Sequence, residues 1–194
     1  MSCYEALAAS YDGLTRDIPY EKYLRFFKSL LKQYGVKPKT VLDLACGTGS
    51  LSVLLAKSGY AVLGVDRSED MLTVAAEKAM ELLGGNIRRF VACREDIEAA
   101  ENMLVGSLFA GIAFSFARLG NVHAMSHPIS AYFDVPHGVA NAVLLPVIAE
   151  YNALADHGRY FKIFNYISPF KVDAGEFEPG LLPGAIRELC GEIG

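Results

Sequence analysis

Several features that would assign this chain of 194 residues to a particular class of protein are absent. The four cysteines, Cys3, Cys46, Cys93 and Cys190, show no C-x-x-C spacing, which favours reduced thiols in a cytoplasmic protein. The first residues combine no basic start with an apolar run, so they predict no secretory signal. The longest uncharged stretch, Asn102 to Ala117, is shorter than the roughly 18–20 residues of a membrane span, which predicts a buried core helix and no membrane partner.

An excess of basic charge is also absent, and the charge that is present is unevenly distributed. The net charge of −4 predicts that nucleic acid is not a partner. Residues 1–97 carry 13 Lys and Arg against 12 Asp and Glu, whereas residues 98–194 carry 5 against 10 and hold all four histidines. This shift predicts two segments of different origin, 1–97 and 98–194, that join near Asp96 to Glu101.

The first segment alternates short apolar runs with amphipathic ones. This order predicts a parallel sheet of about three strands wrapped by helices, because such units alternate strand and helix. The predicted helices are Tyr20–Tyr34, Ser50–Lys57 and a helix capped by Ser68 that Gly84-Gly85 ends near Leu83, and the predicted strands are Thr40–Leu44, Ala61–Val65 and Ile87–Ala92.

The second segment shows helical patterns without a convincing strand. Its predicted helices are Glu98–Leu119, Gly138–Leu154, Tyr160–Ile167 and Gly184–Ile193. The first of these is apolar nearly all round, which is typical of a helix buried on most sides. The predicted fold is therefore an α/β N-terminal half followed by an all-α C-terminal half.

A glycine-rich turn follows the first predicted strand in the sequence VLDLACGTG at 41–49. Glycine lets the backbone turn tightly and lets a ligand come close, although a tight strand–helix turn is an alternative explanation. Asp43, Asp66 and Asp96 lie at or just past the ends of the three predicted strands. The ends of parallel strands share one crevice, where such folds bind ligands, so three aspartates favour a binding site over helix caps.

The sequence VLDLACGTGSLSVLLAKSGYAVLGVDRSEDML, with the lead-in YDGLTRDIPYEKY, resembles class I S-adenosylmethionine-dependent methyltransferases from about Tyr4 to Ile97. The resemblance implies a partial Rossmann-like domain that binds S-adenosylmethionine as its small-molecule cofactor. Tyr11 and Tyr20 either approach that cofactor or are core aromatics. The implied contacts are Asp43, Gly47, Thr48 and Gly49 at the methionine end, Asp66 at the ribose, Arg67 and Met71 beside the adenine, and Asp96 with Ile97 at the adenine amino edge.

Nothing after Ile97 resembles the later strands that carry the acceptor pocket in those methyltransferases, so the catalytic residues remain unknown. The first strand, normally central, would then lie at the edge of the sheet. An exposed edge predicts pairing with another chain as a homo-oligomer.

Three histidines, His123, His127 and His137, fall within fifteen residues. His123 and His127 are four apart, so they share a face if the segment is helical. Neutral imidazoles that lie together can bind a divalent metal ion. From spacing alone, polar groups bonded to backbone at helix ends are the slightly favoured interpretation, because catalytic zinc sites usually show a carboxylate or third ligand at a recognisable offset.

The sequence GSLFAGIAFSFARLGNVHAMSHPISAYFDVPHGVANAVLLPVIAEYNA looks like the C-terminal helical domain of iron-containing (group III) alcohol dehydrogenases, and the similarity extends from about Glu98 to Gly194. The resemblance implies that His123 and His137 are two ligands of Fe²⁺ or Zn²⁺ and that His127 is a pocket residue near nicotinamide and substrate. The other two ligands of that family, an Asp and a His, lie on an earlier helix that this sequence lacks. Two imidazoles alone should bind metal weakly.

Three hypotheses follow. The first is an S-adenosylmethionine-binding, methyltransferase-like protein whose catalysis is in doubt because the acceptor half is missing. The second is an iron-type alcohol dehydrogenase-like protein, a metal- and NAD-dependent oxidoreductase, with an incomplete metal site. The third is a non-catalytic fusion. The sequence favours the first hypothesis with respect to ligand binding. With respect to catalysis it favours the third, in which the chain catalyses no reaction.

Overall fold

The computed structural model describes residues 7–117 and 119–194 of the chain. Cys3 and the start of the methyltransferase resemblance, at Tyr4, lie outside the described residues. The helices are α1 (Ala8–Leu14), α2 (Tyr20–Gln33), α3 (Ser50–Lys57), α4 (Glu69–Ala92), α5 (Ile97–Ala117), α6 (Asn121–Phe133), α7 (His137–Asn152), α8 (Arg159–Ile167) and α9 (Leu181–Ile193), with a short 3-10 helix at Ala153–Ala155. The strands are β1 (Thr40–Leu44) and β2 (Ala61–Val65).

The two strands pair in parallel, with Thr40 opposite Ala61 and Leu44 opposite Val65. Both strands were predicted at these positions, and the helix between them was too. Leu42, Leu44 and Leu63 are more than half exposed on one face of the pair. The predicted pairing of this sheet with another chain stays a prediction.

The predicted third strand, Ile87–Ala92, is wrong, because these residues form the last turns of α4. The expected break at Gly84-Gly85 does not occur. A Cβ atom on Gly84 would lie 2.5 Å from the carbonyl oxygen of Tyr166, so Gly84 is where the end of α8 approaches the helix backbone. This glycine allows close packing, and glycine inside a helix costs only about 1 kcal/mol relative to alanine.

The described chain divides into two compact units, and the division falls within α4 and α5. Among the described residues, unit 1 consists of 7–82 and 101–117, and unit 2 of 83–100 and 119–194. The predicted join near residue 97 concerns the origin of the two segments and stays a prediction.

The core of unit 1 is built where α4 and α5 pack together. Leu72, Ala75 and Ala79 of α4 contact Phe109 and Ile112 of α5. Small alanines on α4 let the larger α5 side chains interdigitate, and all five residues are at most 7% exposed. The prediction that α5 is buried on most sides is wrong: Phe109 and Ile112 are buried in this cluster, whereas Leu104 and Phe114 are 74% and 54% exposed.

Unit 2 is helical, as predicted for the second half of the sequence, and its core lies among α7, α8 and α9. Ala149, Phe164 and Ile186 are among its buried residues. Pro146 lies inside α7 and has no N–H to donate to the carbonyl of Ala142. The thiol of Cys190 on α9 donates to that carbonyl instead, with an S···O distance of 3.9 Å.

Two helices in the described part of the chain, over Ile97–Phe114 and His137–Ala155, are long and apolar enough to cross a membrane. Length and composition alone are weak evidence for a span, because core helices of soluble proteins meet the same criteria.

Candidate functional site

The glycine-rich turn of unit 1 is closed by its own hydrogen bonds. The carboxylate of Asp66, just after β2, accepts the N–H of Gly47 at 2.7 Å and the N–H of Ser68 at 2.8 Å. The carboxylate of Asp43, within β1, accepts the buried hydroxyl of Ser52 at 2.6 Å. Both aspartates predicted to face a ligand at the strand ends thus have partners within the turn and the helices that follow it.

Thr48 connects the turn to α1 and α4. Thr48 is buried, at 1% exposure. Its hydroxyl donates to the carboxylate of Asp12 at 2.5 Å, and that carboxylate also forms an ion pair with Lys78. Partial burial raises the pKa of Asp12, but the bonds from Lys78 and Thr48 outweigh it, and the net pKa lies below the ordinary 3.8. This cluster was not visible in the sequence, because Asp12 and Lys78 are 66 residues apart.

Apolar side chains of α5 cover the same turn. A Cβ atom on Gly49, whose φ is +87°, would lie 3.0 Å from Phe109 and 3.1 Å from Ile112. Glycine is required here both for the left-handed backbone and for this close approach. Burial, followed by the charges of Asp43 and Asp66, raises the pKa of the Cys46 thiol beside the turn to about 11. The turn is therefore a covered, internally bonded structure.

The remaining residues predicted to contact S-adenosylmethionine are divided between the two units, and their joint role stays a prediction. Met71 is buried at 2% exposure in unit 1, and Arg67 is exposed. Asp96 and Ile97 belong to unit 2. Asp96 accepts the N–H of Ala99 at 2.9 Å and so caps α5. That backbone bond, together with Arg89, lowers the pKa of Asp96 despite some desolvation, so this aspartate has the capping role given above as the alternative.

The three histidines come together in unit 2. His123 and His127 lie one turn apart on α6, and His137 is the first residue of α7. The ring centres are 5.9 Å apart for His123 and His127, 5.3 Å for His123 and His137, and 5.2 Å for His127 and His137. α6 was not among the predicted helices; it supplies the condition under which the spacing of His123 and His127 puts them on one face, and packing of α6 against α7 adds His137.

Asn141 completes this histidine cluster (His123, His127 and His137). Its amide nitrogen lies 3.1 Å from Nε2 of His137, one helical turn away on α7. The i, i+4 spacing was a signal for this contact that the sequence reasoning missed. His123 is half-buried, whereas His127 and His137 are exposed, so solvent reaches the cluster. Within the described residues, no group of three or more His, Cys, Asp or Glu side chains is arranged to hold a metal ion as it stands.

Comparisons with known proteins favour the second of the three hypotheses. The 1,3-propanediol dehydrogenase of Citrobacter freundii is 42% identical over 125 residues, which cover 62% of this chain and 31% of that protein. The lactaldehyde reductase of Escherichia coli is 42% identical over 110 residues, covering 57% of this chain and 28% of that protein. The chain thus spans about a third of the length of these relatives.

Comparison with solved structures also favours the second hypothesis. The crystal structure of a 1,3-propanediol oxidoreductase matches with a TM-score of 0.57 and 37% identity, covering 63% of this chain and 32% of that chain. An alcohol dehydrogenase from Oenococcus oeni matches with a TM-score of 0.58 and 30% identity, covering 63% of this chain and 33% of that chain.

The methyltransferase resemblance has limited support. A putative methyltransferase of a Geobacillus strain is 49% identical over 77 residues, covering 39% of this chain and 31% of that protein. The first hypothesis, which the sequence favoured for ligand binding, is thus less well supported than its alternative.

The family match covers most of the helical segment and also part of the segment before it. The model of the Fe-containing alcohol dehydrogenase family, C-terminal, matches residues 64–176, which is more than half of the chain and includes all three clustered histidines. The match begins at β2, inside the segment that resembles methyltransferases. On this evidence the chain belongs to the iron-containing alcohol dehydrogenase family.

Proposed function

We propose that this chain is an alcohol dehydrogenase-like protein that binds a divalent metal ion at His123 and His137. The observation that carries the proposal is the placement of these two imidazoles, with ring centres 5.3 Å apart, on α6 and α7 within the segment that matches the family. Neutral imidazole is a common ligand of iron and zinc in proteins. The second of the three hypotheses therefore becomes the main proposal.

The reaction class proposed for the whole protein is metal- and NAD-dependent interconversion of a small alcohol and its aldehyde. Relatives named as 1,3-propanediol dehydrogenase and lactaldehyde reductase act on short, polar substrates. We expect a substrate of the same class here. In this role His127 would be a pocket residue beside the metal, and the cytoplasmic location expected from the cysteines would suit such an enzyme.

The described residues fit only part of the four-ligand centre that the resemblance implies. Two of its imidazoles are present, but no carboxylate of the described chain joins them to form a metal-binding group. When bound, the metal would supply Lewis-acid polarisation of the substrate oxygen. Because the full ligand set is not formed by the residues present, no hydride-transfer step follows from this geometry.

Binding of S-adenosylmethionine is a second candidate function, favoured by the 49% identity to a putative methyltransferase. The hydrogen bonds of the glycine-rich turn argue against it. Asp66 would have to release the N–H groups of Gly47 and Ser68 before it could accept ribose hydroxyls. Phe109 and Ile112 would have to withdraw from Gly49 before a cofactor could approach the turn.

Thermal melting of chelator-treated protein tests both candidates. Zn²⁺ or Fe²⁺ at about 100 times its dissociation constant should stabilise the folded state by about 2.7 kcal/mol, since a ligand that binds only the folded state stabilises it by mass action. For a domain of this size that gain corresponds to a rise of very roughly 5–10 °C in Tm. NAD should add to the shift if the nucleotide binds as well.

S-adenosylhomocysteine is the matched control ligand. A shift with the metal ion and none with S-adenosylhomocysteine is the expected result. A shift with S-adenosylhomocysteine alone would establish the second candidate and refute the first. The absence of a shift with either would contradict both and favour the non-catalytic fusion.

A further inference from the structure

A cavity of about 420 Å³ opens beside the C-terminal end of α2 in unit 1. Its walls come from α2, from the loop that leads to β1, and from Tyr60, just before β2. The volume lies within the range of about 300–1,000 Å³ that is usual for small-molecule sites. None of the residues that line it is among those predicted above to contact a ligand.

The chain reversal that ends α2 shapes one wall of this cavity. Gly35 has a φ of +66°, and its N–H donates to the carbonyl of Lys32 at 3.3 Å. The N–H of Val36 donates to the carbonyl of Leu31 at 2.9 Å. These two bonds are those of a Schellman motif, which satisfies the last carbonyls of a helix and favours an apolar contact across the turn. Leu31 and Val36 both line the cavity, so the reversal provides it with an apolar surface.

The apolar part of the lining also includes an aromatic ring. Leu31, Pro38 and Tyr60 are half-buried, and Val36 is 51% exposed. The ring of Phe27 packs edge-to-face on that of Tyr60, with centres 5.9 Å apart, which restricts the motion of the Tyr60 ring. A ligand with an apolar body would remove this surface from water, and such burial favours binding.

The rest of the lining is positively charged. Among the described residues, Lys28, Lys32 and Lys37 line the cavity and no Asp or Glu does. The ammonium group of Lys28 donates to the hydroxyl of Ser58 at 3.0 Å, which positions it and leaves two of its N–H groups for a ligand. In the part of the chain that the structure describes, Lys32 and Lys37 have no ion-pair partner. Three ammonium groups thus face one cavity without a carboxylate to neutralise them.

The surrounding sequence strengthens this positive charge. Residues 20–39 hold six Lys and Arg against one acidic residue, Glu21, in a chain whose net charge is −4. Glu21 and Lys32 are separated by roughly 16 Å along α2, which exceeds the Debye length of about 8 Å. The C-terminal end of α2 carries an opposing partial charge of about −0.5, which is smaller than the charge of the three ammonium groups. The cavity therefore favours an anion.

We propose that this cavity binds a small, soluble phosphate monoester with an apolar or aromatic body. The phosphate would lie among the three ammonium groups, because lysine binds phosphate as a compact point charge with several donors. The body would lie against Leu31, Val36 and Tyr60. A phosphate monoester carries about −1.5 to −2 charge at pH 7, so it matches three lysines better than a single carboxylate does. This inference is independent of the metal-binding function proposed above.

Isothermal titration calorimetry of the full chain with phenyl phosphate at low salt tests the site. Lys32→Gln and Lys37→Gln should each weaken binding by about threefold to tenfold, because each removes a charge beside the phosphate. The matched control is Lys22→Gln, which removes the same charge from an exposed position elsewhere on α2 and should change the affinity by less than about twofold. An equal loss in Lys22→Gln and Lys32→Gln would reduce the effect to general surface charge and overturn the site, as would undetectable binding of phenyl phosphate.

Inorganic phosphate tests the apolar part of the site. Phenyl phosphate should bind about tenfold more tightly than inorganic phosphate, because its ring is removed from water. Equal affinities would show that the apolar body makes no contribution and would refute the proposed ligand class. Binding of both should weaken severalfold between about pH 8 and about pH 5, where a phosphate monoester carries close to one charge. A pH-independent affinity would contradict recognition of the dianion.

Proton NMR of the unaltered chain provides a test that does not depend on variants. The ring of phenyl phosphate should shift the methyl signals of Leu31 and Val36, which line the cavity. Binding that leaves these signals in place would locate the ligand elsewhere and refute the proposal. Vesicles that contain phosphatidic acid provide the remaining comparison. If the chain binds these vesicles and not phenyl phosphate, the lysines contact a lipid surface and the soluble ligand is excluded.

Discussion

The glycine-rich turn of unit 1 and the histidine cluster of unit 2 both carry sequence patterns typical of ligand sites, yet their side chains are engaged differently. In the turn, the carboxylate of Asp66 holds two backbone N–H groups, and Thr48 is bonded to Asp12. In the cluster, His127 and His137 are open to solvent, and the one side chain bonded to them in the described residues is Asn141. Polar residues that satisfy their own fold are thus poor evidence for a ligand, whereas grouped, accessible donors are better evidence.

If this contrast is correct, unit 2 should owe its stability to apolar and backbone packing and not to its histidines. Gly84→Ala is the sharpest test, because the new Cβ would lie 2.5 Å from the Tyr166 carbonyl oxygen and the helices would have to separate. We expect a loss of about 1–3 kcal/mol in the free energy of unfolding, measured by urea denaturation.

Gly85→Ala is the matched control for that substitution. Nothing lies within 4 Å of a Cβ atom on Gly85, and the residue is inside α4, so alanine should stabilise the chain by up to about 1 kcal/mol. If both substitutions are equally destabilising, the two glycines end a helix as the sequence first indicated, and continuous α4 is wrong.

Asp66→Ala tests whether the turn of unit 1 is held by its own carboxylate. Removing the carboxylate takes away the acceptor to which the N–H groups of Gly47 and Ser68 donate. This loss should lower the free energy of unfolding by about 1–2 kcal/mol. The neighbouring Arg67→Ala and, in unit 2, His127→Ala alter exposed side chains and should change stability by less than about 0.5 kcal/mol. A destabilising effect of His127→Ala as large as that of Asp66→Ala would remove the contrast between the two regions.

Acid denaturation gives the smallest of the expected effects. The pKa of Asp12 is lowered in the folded state, so its bonds to Lys78 and Thr48 stabilise the chain above the ordinary pKa of 3.8 and are lost as the pH falls through the lowered value. Asp12→Asn should therefore lose less unfolding free energy than the unaltered chain does as the pH falls. Because the ion pair is partly exposed, we expect this difference to be less than about 1 kcal/mol.

Asp96 of unit 2 provides the comparison for that measurement. Its pKa is lowered as well, so Asp96→Asn should also reduce the loss of stability below pH 3.8, while asparagine keeps the capping bond to Ala99. Unfolding followed by circular dichroism between pH 2 and 7 measures both variants. An acid limb unchanged in Asp12→Asn would show that the Asp12 cluster does not contribute to folding.

Local patterns predicted much of the fold. The alternation in β1 and β2, the helical spacing in α2 and the apolar length of α5 were all visible, because each element is set by residues a few positions apart. The end of α4 was not predicted, because Gly84 and Gly85 are ordinarily helix breakers and the reason for Gly84 lies 82 residues later, at Tyr166.

Some features of the candidate sites could likewise be predicted from the sequence, and others could not. The spacing of His123 and His127 predicted a common face only if the segment was helical, and α6 was not among the predicted helices; the family resemblance identified His137. The sequence could not show that Phe109 and Ile112 cover Gly49, because those contacts depend on how α5 packs within unit 1. The capping role of Asp96 was visible as the alternative, because a helix was predicted just after it, but the wrongly predicted third strand placed Asp96 at a strand end.

The sequence by itself determined which chemistry each region offers: a glycine turn flanked by carboxylates, and three imidazoles within fifteen residues. Only the tertiary structure decided which of these groups remain available to a ligand. Availability depends on partners brought together by packing, such as Asp12 with Thr48, and such partners are distant in sequence. The carboxylates of Asp43 and Asp66 are bonded within the fold, whereas His127 and His137 are accessible to solvent and, we propose, His137 binds a metal ion with His123.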